Sequence, residues 1–139
     1  MSTLERAIAL AAEAHTGQLD KAGQPYILHP IRVMLSVQGE IERIAAVLHD
    51  VVEDTRWTIE ELRQEGFSEP VLEAIALLTK PEGADYEDYV RRIKPHAIAR
   101  AVKLADLADN SDLRRLVTVT PKDQARIEKY ARARKILEE

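Results

Sequence analysis

One stretch, Ala45-Ala46-Val47-Leu48-His49-Asp50-Val51-Val52-Glu53-Asp54-Thr55, constrains the chain more than any other. It has the pattern of a helix made for burial, yet its last turns carry an imidazole and three carboxylates. On one continuous helix, residues four apart share a face, so His49 would lie over Glu53 and Asp50 over Asp54. Ala45, Val47, Leu48, Val51 and Val52 supply the apolar remainder. Burying these four ionisable groups without partners would cost on the order of several kcal/mol. The stretch is therefore either an exposed helix end with an acidic tail or a site facing a metal, a substrate or water. A neutral imidazole beside a hard carboxylate suits Mn²⁺, Fe²⁺ or Zn²⁺ in a mixed nitrogen and oxygen site. Two ligands do not hold a catalytic ion, so the rest of the chain has to supply more.

Composition narrows the setting. A chain of 139 residues suits one domain, 1–139, with a hydrophobic core. Apolar residues make up 45% of it but aromatics only 4%, and Ala, Leu, Ile and Val dominate, which points to an all-α bundle. The net charge of −4 leaves no basic footprint for nucleic acid. It allows a small positive pocket for a phosphorylated small molecule. With no cysteine, any metal must be held by His, Asp or Glu. No secretory core and no bilayer-length apolar run is present, so the expectation is a cytoplasmic protein with no membrane association. Nothing in the composition speaks to oligomeric state.

Read in order, Thr3 is an N-cap for a first helix that stops at Gly17, and His15 near its end would face the terminal carbonyls. Residues 18–24 form a polar loop. Pro30 belongs in a first helical turn, which places His29 at a rigid helix entrance with Arg32 one turn on. Gly39 closes that helix, and Glu40 opens the one carrying the central stretch. Thr58 and Glu61 form a capping box, and Ser68 with Pro70 starts a helix whose Val71, Leu72, Ile75 and Leu78 form a core stripe. Residues 85–94 make a helix on which Tyr86 and Tyr89 pack. His96 is a cap residue. Beyond it, Ile98, Ala101, Val102 and Ala105 make an apolar stripe beside a polar column of Lys103, Asp106 and Asn110. That column is either a solvated face or a fourth ligand, Asp106, flanked by a phosphate-attracting Lys103. A closing helix over 121–137, rich in Lys and Arg, reads as a packing and solubility element.

Taken together, His29, His49-Asp50 and Asp106 resemble the H…HD…D signature of the HD-domain phosphohydrolases. Four blocks, Ala14-His15-Thr16-Gly17-Gln18, Pro25-Tyr26-Ile27-Leu28-His29-Pro30, Leu48 to Thr55 and Val102-Lys103-Leu104-Ala105-Asp106, are similar to the hydrolase domain of the RelA/SpoT alarmone enzymes and the small (p)ppGpp hydrolases. The resemblance implies that His29, His49, Asp50 and Asp106 hold one Mn²⁺. It also implies that Glu53 and Asp54 work on the attacking water, and that Lys21, Lys103 and Asn110 contact a nucleotide substrate, most directly the 3′-pyrophosphate of (p)ppGpp. A divalent ion acidifies water and polarises a phosphoryl oxygen, and a nearby carboxylate takes the proton.

The chain departs from that pattern at Asp20, where a basic residue is expected, at Leu107 in place of an arginine, and at Ser111-Asp112-Leu113. An acidic residue at position 20 would repel phosphate and favour another nucleotide or phosphoester. A catalytically silent nucleotide- or partner-binding module is a third reading, against which Glu53 and Asp54 speak. No synthetase domain accompanies these blocks, so alarmone synthesis is not expected of them.

Overall fold

Helix starts in this chain are largely set by capping side chains, and a computed structural model describing residues 2–116 and 118–139 shows where they lead. Thr3 Oγ1 accepts from the Arg6 N–H at 3.1 Å and opens α1 (Leu4–Ala14). The next helix, α2 (Leu28–Ser36), carries His29 and Pro30 in its first turn. Gly39, at φ 92°, turns the chain into α3 (Glu40–Leu48), and α4 (Val51–Asp54) follows after a break. Thr58 and Glu61 form the expected capping box of α5 (Ile59–Gln64). Ser68 occupies the N-cap of α6 (Glu69–Leu78) without a side-chain bond, with Pro70 in the first turn. Asp85 caps α7 (Tyr86–Ile93), and His96 Nδ1 accepts from the Ala99 N–H at 3.2 Å to cap α8 (Ala97–Asn110). After a 3₁₀ turn (Leu113–Arg115), Thr120 and Asp123 form a second capping box and start α9 (Pro121–Glu138). Among the described residues there is no strand, only an isolated antiparallel bridge between Leu19 and Pro25, so the fold is all-α.

The helix α3 is the axis of the bundle. Residues Ala45 to Leu48 are fully buried and Ile44 nearly so, which leaves no solvent face in the second half of the helix. It packs against α1, α2, α6 and α8, while α8 also packs against α2, α6, α7 and α9. Val71, Leu72, Ile75 and Leu78 of α6 are buried in the same core, as their spacing required. On α8 the outcome differs from the pattern. Ala99, Val102 and Leu107 are buried together with Lys103 and Asp106, whereas Ile98, Ala101 and Ala105 are only partly covered. Lys103 and Asp106 of the polar column therefore point inward, while Asn110 stays exposed. Among the described residues, no helix is long and apolar enough to cross a membrane.

The central stretch is not one helix. It breaks at His49-Asp50, where Asp50 sits at φ −99° and ψ −2° between α3 and α4. Adjacent residues on an unbroken helix diverge by about 100° and do not face each other. The break lets His49 and Asp50 converge on one point, and the expected stacking of His49 on Glu53 and Asp50 on Asp54 is replaced by that convergence. His15 also departs from expectation, because its ring is buried beside Tyr26 and Gln18 rather than bonded to helix carbonyls.

Ile75→Ala removes a fully buried side chain at the α3–α6 contact, and urea unfolding should report a loss of about 2–5 kcal/mol.

Candidate metal centre and adjoining cavity

Two helices and one break deliver four side chains to a common point. His29 comes from the first turn of α2, His49 and Asp50 from the break, and Asp106 from the inward face of α8. His49 Nε2 lies 3.1 Å from Asp50 Oδ2, and His29 Nε2 lies 3.7 Å from the same oxygen. Asp106 Oδ1 is 2.9 Å from His29 Nε2 and 3.3 Å from His49 Nε2. Ligand atoms of His29, His49 and Asp50 all fall within 4.8 Å of one another.

The outer nitrogens show what this point requires. His49 Nδ1 donates to the Ala46 carbonyl at 2.6 Å, and His29 Nδ1 donates to Asp109 Oδ2 at 2.6 Å. Both partners only accept, so a proton sits on each Nδ1, and a ring in its neutral form presents its Nε2 lone pair inward. With neutral rings the inward atoms form a set of acceptors, two imidazole lone pairs and two carboxylates, in a buried place. Such a set is stable only around positive charge. The donors are two nitrogens and two carboxylate oxygens, with the far side of each ring held by a hydrogen bond, which fits a divalent first-row ion. The crowding also displaces the ionisations. Burial alone would depress the His49 imidazole, but Asp50 and Asp106 raise it well above its ordinary value. Burial would raise the Asp106 carboxyl, but Lys103 and the two imidazoles hold it well below the usual range.

A second ring of groups surrounds these four. Arg32 makes a bidentate pair with Asp109 at 2.7 and 3.1 Å, which anchors the carboxylate that orients His29. Lys103 Nζ donates to Asp106 Oδ2 at 3.0 Å, with its ammonium 5.7 and 5.2 Å from the ring centres of Tyr86 and Tyr89. Asn110 Nδ2 donates to Asp106 Oδ1 at 3.1 Å. Tyr26 Oη donates to Asp50 Oδ2 at 2.5 Å and lies 3.5 Å from Asp54 Oδ2. Glu53 lines the same small cleft, of about 130 Å³, as His49, Asp50, Lys80, Lys103 and Asn110. Partial desolvation, and then the Asp50 charge, raise the Glu53 and Asp54 carboxyls above their ordinary values, which makes each a better proton acceptor.

A larger cavity of about 300 Å³ adjoins the cleft, and Tyr26 and Asn110 border both. Lys21, Arg32 and Arg126 place cationic groups on its wall, with Ile127 and Tyr130 supplying an apolar one. Three of these come from α9, so that helix does more than pack: its residues 126, 127 and 130 close the cavity. Asp20 also lines it. Its Oδ1 accepts from the Ala22 and Gln24 N–H groups, both at 2.9 Å, so this carboxylate closes the loop on which Lys21 sits. Leu107 is buried in the core, which explains an apolar residue there.

Of the site residues expected from sequence, His29, His49, Asp50 and Asp106 meet at the centre. Glu53, Lys103 and Asn110 line the cleft, Lys21 lines the cavity, and Asp54 sits beyond the Tyr26 hydroxyl. Tyr26, Asp109, Arg126 and Tyr130 were not singled out as site residues. Tyr26 stands three residues before His29, and Asp109 three after Asp106. Both spacings were visible, but neither says which neighbour the side chain meets.

Asp109→Ala strips His29 Nδ1 and Arg32 of their partner, and calorimetric titration with Mn²⁺ should show affinity reduced roughly 10- to 100-fold. Asp20→Arg loses two loop hydrogen bonds, each worth about 1 kcal/mol, so its denaturation midpoint should fall while the cavity gains charge.

The HD domain family pattern matches residues 7–137. Among similar proteins is the guanosine-3′,5′-bis(diphosphate) 3′-pyrophosphohydrolase MESH1 of Danio rerio, 37% identical over 144 residues, which span 93% of this chain and 78% of that protein. A protein of Aquifex aeolicus with the same enzymatic name is 36% identical over 118 residues, covering 78% of this chain and 17% of its own length. Four bacterial relatives, two of them named as 3′-pyrophosphohydrolases and two as GTP pyrophosphokinases, are long, and the chain spans only 17 to 20% of them. Among solved structures, one described as a metazoan ortholog of SpoT that hydrolyzes ppGpp superposes with a TM-score of 0.75 at 27% identity, covering 99% of this chain and 84% of that one. With two imidazoles and an aspartate gathered at a helix break inside an all-α bundle, and the pattern matched over 7–137, the chain belongs to the HD-domain family.

Proposed function

We propose that this chain, as one domain over 1–139, is a divalent-metal-dependent phosphohydrolase that removes the 3′-pyrophosphate of (p)ppGpp. The observation that carries the reading is the inward-facing acceptor set of His29, His49, Asp50 and Asp106 beside a cleft containing Glu53. The 37% identity to the Danio rerio 3′-pyrophosphohydrolase over 93% of the chain supports the choice of substrate.

In this reading His29, His49, Asp50 and Asp106 hold the ion, with Mn²⁺ first and Fe²⁺ or Zn²⁺ compatible with the same donors. When bound, it would polarise a phosphoryl oxygen and acidify the attacking water. Glu53 and Asp54 supply the carboxylate that takes the water's proton. The water oxygen bonds to the phosphorus attached to O3′, the bond from that phosphorus to O3′ breaks, and the 3′-oxygen takes up a proton. Pyrophosphate and a 5′-diphosphate nucleoside leave. Asn110 and Lys103, in the cleft, and Lys21, on the cavity wall, contact phosphate oxygens. The cavity has the volume and mixed wall that suit a nucleoside. Lys103 has a second task in neutralising Asp106, so its substrate contact is made by an ammonium already paired.

A second reading keeps the chemistry and changes the substrate. It is favoured by Asp20, whose carboxylate lies on the cavity wall where a polyphosphate nucleotide would prefer a cation. One assay separates the two: product release from ppGpp, GTP and nucleoside monophosphates with Mn²⁺ or with chelator. Metal-dependent pyrophosphate release from ppGpp is the expected result, and turnover confined to another nucleotide would move the substrate. Asp50→Ala should lose bound ion and turnover together; a fully active variant would overturn the metal mechanism.

A further inference from the structure

Between α1 and α2 the chain doubles back, and a single residue ties that return to the metal centre. Gln18 makes contacts in three directions. Its carbonyl accepts from the Tyr26 N–H at 2.8 Å, its Nε2 donates to the Asp54 carbonyl at 3.2 Å, and its Oε1 lies 2.9 Å from His15 Nδ1. A carbonyl only accepts, so the amide nitrogen of Gln18 faces Asp54, its Oε1 is an acceptor, and the His15 proton sits on Nδ1. His15 Nε2 is buried without a hydrogen-bond partner in a residue 2% exposed. A buried unpaired nitrogen weakens a fold, and its presence calls for a reason.

The reason lies on the face of the ring. His15 packs against Tyr26 with ring centres 5.0 Å apart, and Tyr26 packs against His29 at 5.7 Å. Pressed between two imidazoles, the phenol has little freedom except at its hydroxyl, which bonds Asp50 at 2.5 Å and stands 3.5 Å from Asp54. Gln18 therefore holds both sides of one gap: the main chain at Tyr26 and the main chain at Asp54.

We infer that Tyr26 is a positioning residue that sets the Asp50 and Asp54 carboxylates relative to each other, and that Gln18 and His15 act through it. The inference rests on the metal centre proposed above. The Tyr26 hydroxyl holds one proton between an aspartate that faces the ion and an aspartate that faces the water. Its loss leaves the fold, the four ligands and the cavity in place but frees the relative orientation of the two carboxylates. Gln18 and His15 line neither the cleft nor the cavity, and losing the Gln18 side chain acts by freeing the His15 ring that packs on Tyr26.

The test uses the whole chain and three variants: Tyr26→Phe, Gln18→Leu and the double substitution. Tyr26→Phe removes one oxygen and keeps the ring, so it serves even if substitutions at the buried His15 fail to fold. With ppGpp and Mn²⁺, each single variant should lose about 10- to 100-fold in kcat with KM within about twofold of wild type. Titration of Mn²⁺ alone should show an affinity about 10-fold weaker for Tyr26→Phe. The double variant should be no slower than the slower single, since both act through one hydroxyl. Wild-type kcat and Mn²⁺ affinity in Tyr26→Phe overturn the inference alone, and losses that multiply in the double variant overturn the route through Tyr26. A wild-type protein that binds Mn²⁺ but leaves ppGpp intact defeats only the substrate proposal, and the Mn²⁺ affinity of Tyr26→Phe then decides. A wild-type protein that binds no Mn²⁺ overturns the metal centre and this inference with it.

Discussion

The confrontation of two imidazole lone pairs with two buried carboxylates is what the rest of this structure has to hold in place. With neutral rings and no positive charge between them that arrangement flies apart, because every inward atom is then an acceptor. It persists because each member is pinned from behind: His49 by the Ala46 carbonyl, His29 by Asp109, Asp109 by Arg32, Asp106 by Lys103 and Asn110, and Asp50 by Tyr26. The pins come from α2, α3, α8 and the loop before α2. A bundle in which α3 and α8 pack on each other and between them on α1, α2, α6, α7 and α9 is the scaffold such a site needs, since a loose one would let the acceptors separate.

The break between α3 and α4 links that requirement to chemistry. A helix delivers neighbouring side chains in divergent directions, whereas His49 and Asp50 face one point. Ending α3 at Leu48 and restarting at Val51 resolves the conflict. The restart also swings Glu53 to the cleft and Asp54 to the Tyr26 hydroxyl, so the carboxylate pair becomes two groups in different surroundings. Beyond them, the space divides into a small cleft at the centre and a larger cavity walled by α9 and the Lys21 loop. Tyr26 and Asn110 stand on the shared border. A substrate with a phosphorylated end and a bulky nucleoside end matches that division.

Much of the architecture was legible because its signals are local. Thr3, the Thr58 and Glu61 pair, Pro70 and Gly39 act within a few residues of themselves, and the helices begin where those residues say. The metal-site candidates were legible through the order of the His29, His49-Asp50 and Asp106 blocks. The helix break was hidden, since Ala45 to Thr55 has an unbroken helical pattern and only the need to converge explains the turn. The inward direction of Lys103 and Asp106 was hidden for a related reason: on an isolated α8 an ion pair at spacing three belongs to the solvent face, and only α2, α3 and α7 packing around it make it interior. The basic α9 concealed its part in the cavity because its apolar Ile127, Tyr130, Ala133 and Leu137 are interleaved with Lys and Arg, which read as a solvated helix.

By itself, the sequence determined an all-α chain, the capping points of its helices, the absence of thiolate chemistry, and a set of His, Asp and Glu residues able to hold a hard cation. Those properties depend on residue type and short spacing. The tertiary structure alone decided that Asp109 orients His29 across 80 residues of chain, that Tyr26 bonds Asp50, and that Asp20 closes its own loop while lining the cavity. Such contacts depend on where helices meet, and the free energy that sets the meeting is the burial of Leu48, Leu72, Ile75 and their neighbours, residues that carry no mark of the site they assemble.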